Sequence, residues 1–232
     1  MKTKAILIGL MPLLVGAPSV QAFTIVSPVF SGPTPYLSVA DSPFNANAGF
    51  TVETFEDGLM NVPGVVLEEA GSSVASGNPT IDSVDADDGV IDGVGTSGHS
   101  LYSGAALHSF TFDFTGSVLP TYAGIVWTDV GLVLSGLEGR GDVLFEAFGT
   151  GDVSLGTVIG TNLGNGVATG ETAEDRFFGV EFAGGISKIK ISMANSIDWE
   201  VDHLQFQATP VPLPAAVWLL GSALVGLARR RG

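Results

Sequence analysis

Apolar and polar residues alternate along much of this chain with a period of two. In His108-Ser109-Phe110-Thr111-Phe112-Asp113-Phe114, three phenylalanines fall on one face, and serine, threonine and aspartate fall on the other. In Lys188-Ile189-Lys190-Ile191-Ser192-Met193, the lysines and the serine stand opposite the apolar set. Alternation of this kind marks strands with one buried face. Shorter runs between Gly, Asn and Asp clusters extend the reading. Strands are predicted at 50–55, 65–69, 108–114, 124–127, 130–134, 143–148, 157–159, 176–182, 187–193 and 199–206. The interior of the chain has no convincing helix and no repeat of solenoid or propeller length. The expected fold is therefore all-β, an antiparallel β-sandwich.

The two ends follow other patterns. Lys2 and Lys4 precede an apolar stretch over residues 5–16, Pro18 interrupts it, and Val20-Gln21-Ala22 supplies small residues. This is the pattern of a secretory signal peptide, with cleavage by signal peptidase expected after Ala22. Residues 23–48 carry Asp41 as their one charge and are rich in Pro, Ser, Ala and Asn. They read as an extended leader lying across the domain. The sandwich is expected over 49–209, and a sorting tail over 210–232.

In that tail, Pro212 and Pro214 stand just before an apolar run over residues 215–228, and Arg229, Arg230 and Arg231 follow it. Proline is tolerated in the first turn of a helix. Such a helix rises roughly 21 Å at ~1.5 Å per residue, short of the ~30 Å hydrocarbon core. Snorkelling arginines and local thinning of the bilayer cover the difference. Positive residues stay cytoplasmic, which places residues 23–210 outside. The expectation is a short, temporary anchor in the inner membrane.

A proline motif, a short apolar helix and an arginine cluster in this order resemble the PEP-CTERM class of sorting signal. Val211-Pro212-Leu213-Pro214-Ala215-Ala216 with Trp218-Leu219-Leu220-Gly221 is similar to its VPLPA variant, with Leu213 where the PEP form has glutamate. The resemblance covers only the tail. It implies a Gram-negative bacterial protein, exported by the general pathway and processed at the inner membrane by an exosortase-type enzyme near Pro212, Leu213 and Pro214. The product then passes to the cell surface or the exopolysaccharide matrix.

Charge sharpens this picture. Asp and Glu total 24 against 9 Lys and Arg, for a net charge of -15. All the acids lie between the two ends, where the bases are only Arg140, Arg176, Lys188 and Lys190. This balance argues against nucleic acid as a partner and repels anionic polymers unless divalent cations intervene. The absence of cysteine excludes disulfides, thiol nucleophiles and Cys-ligated zinc.

Candidate chemistry centres on acids. The first core strand runs into Phe55-Glu56-Asp57-Gly58, and the last carries Glu200-Val201-Asp202-His203-Leu204. These ends resemble those of carbohydrate-binding jelly rolls, whose first and last strands are neighbours and whose acids hold a structural calcium. The resemblance implies a jelly-roll-like sandwich, with Glu56 and Asp202 as the metal ligands. The charges of Glu200 and Asp202 share a face with apolar Leu204 and Phe206, leaving half-buried carboxylates in need of a cation or hydrogen-bond donors. The acid-rich run 81–93 misses EF-hand phasing, because the positions one, three and five before Gly89 are Asp88, Ala86 and Val84. Another loop geometry would have to gather Asp85, Asp87, Asp88 and Asp92.

Catalytic signatures are lacking. The sequence contains no G-x-S-x-G elbow, no H-E-x-x-H helix and no glycine-rich phosphate loop. His99, His108 and His203 have no metal-ligand spacing. Trp127 reads as core after Gly124-Ile125-Val126, Trp199 is open between core and surface, and one of Phe177 and Phe178 is expected to be partly exposed. The first expectation is a non-catalytic, surface-sorted protein of the exopolysaccharide or biofilm matrix that binds glycan. The alternatives are a calcium-stabilised structural or adhesive matrix protein, and a secreted hydrolase.

Overall fold

The computed structural model describes residues 26–68, 73–76, 82–103, 109–129, 132–133, 141–164, 169–193, 196–197 and 199–208. The cleavage position at Ala22 and the tail with Pro212, Leu213 and Pro214 lie outside these residues. So do His108, Arg140 and much of the predicted strand at 130–134.

The strands are β1 (Val29–Pro35), β2 (Phe50–Glu53), β3 (Val65–Leu67), β4 (Ser73–Ser76), β5 (His99–Tyr102), β6 (Ser109–Phe114) and β7 (Tyr122–Asp129). They continue with β8 (Leu132–Val133), β9 (Gly141–Gly149), β10 (Val153–Leu163), β11 (Arg176–Glu181), β12 (Ile186–Ser192), β13 (Ser196–Ile197) and β14 (Glu200–Gln207). The larger sheet has the order β1-β11-β7-β14-β5-β4, with β2 also on β14, and the smaller has the order β10-β9-β12-β6-β3. The pairings are antiparallel throughout, including a separate two-stranded β13-β8 ribbon. The protein is therefore all-β, with two sheets packed face to face.

The first and last core strands are neighbours: β2 pairs with β14 from Glu53↔Leu204 to Phe50↔Gln207. On the same edge of β14, β5 pairs at Val201↔Leu101 and Glu200↔Tyr102, so β5 and β2 lie end to end. The leader also enters the sheet. Val29–Pro35 forms an edge strand on β11, with its register shifting between Ser31 and Thr34. This extended stretch contains Pro33 and Pro35, which a strand tolerates at the edge of a sheet.

The alternating strands point as their pattern dictates. Phe110, Phe112 and Phe114 of β6, with Ile189 and Ile191 of β12, enter the core between the sheets. There they meet Ile125, Trp127, Phe178, Val201, Leu204 and Phe206 of the larger sheet. Burying each large apolar side chain contributes about 1.5–3 kcal/mol. On the opposite face of β12, Lys188 lies 3.4 Å from Asp113, 3.5 Å from Asp152 and 3.6 Å from Glu68.

The larger sheet is covered on its other face as well. Tyr36, Phe44, Val84, Tyr122, Val126 and Phe177 form a second cluster there. The cover comes from residues 36–50 and from the segment around Val84. It buries both Phe177 and Phe178, one on each side of the sheet, so neither is exposed as the adjacency had suggested. Trp127 and Trp199 are likewise fully buried.

Candidate functional site

The covered face of the larger sheet gathers most of the buried charge, and a backbone irregularity in β14 explains why. The register between β14 and β7 shifts between Asp202 and Gln205, and His203 has φ +44°. A bulge of this kind adds one residue and reverses the side-chain alternation beyond it. Trp199, Val201, Leu204 and Phe206 consequently share the main core. Glu200, Asp202, His203 and Gln205 turn to the other face, toward the covering segments. The sequence-based placement of Glu200 and Asp202 beside Leu204 and Phe206 is corrected by this bulge.

Two carboxylates of β14 act as docking points for the cover. Glu200 Oε2 accepts the amide of Asp82 at 2.7 Å, and Asp202 Oδ2 accepts the amide of Val84 at 3.0 Å. Alternate amides of the 82–84 segment are thus taken by alternate residues of β14. Asp202 Oδ1 also accepts the amide of His203 at 2.6 Å. Burial above all, and then the neighbouring Asp87, hold the Asp202 carboxyl well above the ordinary carboxylate range.

A polar chain runs beside it. Gln205 Nε2 donates to Tyr36 Oη at 2.9 Å, and Tyr36 Oη lies 2.9 Å from His203 Nδ1. His203 Nε2 lies 3.0 Å from Asp87 Oδ1 and 3.1 Å from Asp87 Oδ2. Ser42 Oγ donates to Gln205 Oε1 at the far end. Nε2 of Gln205 can only donate, so the tyrosine proton goes to Nδ1 and the imidazole proton sits on Nε2, facing Asp87. Asp87, Asp202 and His203 bring potential ligand atoms within 4.8 Å of one another. Both ring nitrogens of His203 are engaged, however, and neither offers a lone pair to a metal in this arrangement.

More acids converge from two loops. Asp82 and Asp85 are buried, and so is Asp175, which follows the 3-10 turn Thr172–Glu174 and immediately precedes β11. Asp85 accepts the amides of Asp92 and Gly93, each at 3.1 Å. Asp82 Oδ1 lies where the side chain of any residue but glycine at position 95 would go, 2.6 Å from the Cβ site. Neither carboxylate oxygen of Asp175 has a hydrogen-bond partner. Burial first, and then the charges of Asp82, Asp202, Glu174 and Asp85, push its carboxyl well above the ordinary range.

The two acids of the sequence-derived pair, Glu56 and Asp202, have different hydrogen-bond partners. Glu56 Oε1 accepts the amide of His99 at 2.6 Å, and Oε2 lies 3.2 Å from His99 Nδ1. Glu56 therefore sits at the start of β5 and stands outside the Asp87, Asp202 and His203 group. Glu53 is the buried acid of that region: it accepts the amides of Phe55, Asn61 and Val62 and closes the loop between them. The acids of the 81–93 run do not converge on one point either. Asp85–Asp88 forms a 3-10 turn capped by Gly89. Asp87 meets His203, Asp88 accepts the amide of Val90, and Asp92 accepts the amide of Val94. The residues that sequence reasoning missed are Tyr36, Asp82 and Asp175. None has a local signature, because each acquires its role from distant segments.

No protein-family model and no curated protein matches the chain. Among solved structures, it is similar to the K1 cleaved adhesin domain of Lys-gingipain from Porphyromonas gingivalis W83. The identity is 13% and the TM-score 0.41, over 69% of this chain and 98% of that one.

Proposed function

We propose that the chain is an exported, surface-sorted, non-catalytic protein of the exopolysaccharide or biofilm matrix, with a structural or adhesive role. The observation that carries this reading is the tail, Val211-Pro212-Leu213-Pro214-Ala215 followed by the apolar run and Arg229-Arg230-Arg231. On this reading signal peptidase removes the signal peptide after Ala22. The inner membrane holds the tail transiently, and an exosortase-type enzyme cuts near the proline motif. The pairing of β2 with β14 supports a jelly-roll-like form of the sandwich.

The structural or adhesive role is favoured over glycan binding by the burial of Trp127, Trp199 and Tyr36. Sugar stacking needs an exposed ring face, and these rings have none to offer. Mass spectrometry of the protein in surface fractions tests the sorting. The expected mature chain begins at Phe23 and yields no Trp218 peptide, and an intact tail there would refute the reading. A glycan array separates the roles, because specific retention of a polysaccharide would restore glycan binding. Turnover on a hydrolase substrate panel would overturn the non-catalytic assignment.

A further inference from the structure

We propose that Asp175 and Asp82 hold a divalent, oxygen-seeking cation of the calcium class, on the covered face of the larger sheet beneath the 82–95 segment. The site belongs to the fold and does not depend on where the chain is sorted.

Asp175 carries the inference. It is fully buried, and both of its carboxylate oxygens lack any hydrogen-bond partner. Desolvation of a carboxylate is tolerated when a cation or donors replace the lost water. The charges acting most strongly on Asp175 are all negative, with Asp82 foremost, followed by Asp202, Glu174 and Asp85. The adjacent Arg176 does not neutralise it, since its guanidinium donates to the backbone carbonyls of Ala173 and Asp175 instead. Protonation alone leaves the problem standing, because a buried carboxylic acid also needs an acceptor for its proton.

The surroundings supply further oxygen. Thr172 Oγ1, on the turn leading into Asp175, is buried and lacks a hydrogen-bond partner. Asp82 enters from the facing segment, and its Oδ1 occupies the space left by Gly95. That segment is fastened to the turn before Asp175 by Gly95 N donating to Gly170 O at 2.9 Å and Thr172 N donating to Gly93 O at 3.3 Å. Asp85 and Asp202 are committed to backbone amides, and both nitrogens of His203 are taken. Asp175, Asp82 and Thr172 offer oxygen and neither nitrogen nor sulfur, which favours calcium or magnesium over zinc. Two carboxylates on two different segments favour the larger and more flexible coordination of calcium.

The test uses the purified full-length chain, stripped with chelator and titrated calorimetrically with calcium, magnesium and zinc. Terbium luminescence excited through tryptophan gives a second readout, since Trp127 is the cross-strand partner of Arg176, next to Asp175. Calcium is expected to bind at one ion per chain, with magnesium and zinc weaker. Asp175→Asn should weaken calcium at least ten-fold and remove the sensitised emission, whereas Glu56→Gln should leave both unchanged. In melting experiments Asp175→Asn should exceed the wild type in chelator and fall below it in excess calcium. Should that variant not fold, metal analysis of the wild-type chain before chelation decides, with stoichiometric calcium expected. Absence of any bound cation, preference for zinc, or affinity unaltered by Asp175→Asn would overturn the site. None of these outcomes touches the sorting proposal, which is read from the processed termini.

Discussion

Tyr36 Oη and His203 Nδ1 meet at 2.9 Å across 167 positions of sequence, both buried on the covered face of the larger sheet. The leader is fastened to the final strand by this contact, and Gln205 and Asp87 complete the chain on either side. Tyr36→Phe removes the middle member and strands two buried polar groups. The expected loss is about 1–3 kcal/mol, read from the midpoint of urea unfolding. An unchanged midpoint would show that the leader is not held by this chain.

Glu53 and Glu56 are three residues apart and should behave very differently. Glu53 is buried and accepts three amides of the following loop, so Glu53→Ala is expected to cost about 1–3 kcal/mol. Glu56 is exposed and pairs with His99 at the surface. Glu56→Gln should scarcely move the thermal midpoint.

Gly95 gives a steric prediction. A Cβ there would stand 2.0 Å from Ser83 O and 2.6 Å from Asp82 Oδ1. The nearer atom is backbone and cannot rotate away, so Gly95→Ala should cost at least the ~1–3 kcal/mol of an overpacked core. Gly58 has φ +77° and open space around its Cβ position. Its substitution by Ala should cost only the ~1–2 kcal/mol of a left-handed residue. Denaturant melts of the two variants compare them directly.

Stability of the chelated protein should fall as pH rises. Asp175, facing Asp82, Glu174, Asp85 and Asp202, and Asp202, facing Asp87 and His203, both have folded-state pKa values raised by burial. Each takes up a proton on folding. Their stabilising contribution is complete below the ordinary carboxylate range and is lost as pH rises through the raised folded-state values. Thermal midpoints in chelator should therefore decline from mildly acidic to alkaline pH, and Asp175→Asn should flatten the decline. A midpoint that rose across this window would contradict the assignment.

Lys188 offers a weak counterpart at the surface of the smaller sheet. Its three acidic partners range from one-quarter to nearly three-quarters exposed. Solvent screens such pairs, and Lys188→Met should cost no more than about 1 kcal/mol. The difference from wild type should shrink further in high salt.

Sequence by itself determined the all-β class and the inward faces of β6 and β12, because alternation with period two is a local property that any register preserves. It also located β2 and β14, which the structure shows as neighbours. Only the tertiary structure decided the fate of Asp202. The bulge at His203 reverses the alternation within β14, and it exists because of how that strand pairs with β7. The burial of Phe177 and that of Asp175 were decided in the same way. They arise where the leader and the 82–95 segment fold back over a sheet face, and no local pattern records which distant segment will cover which face.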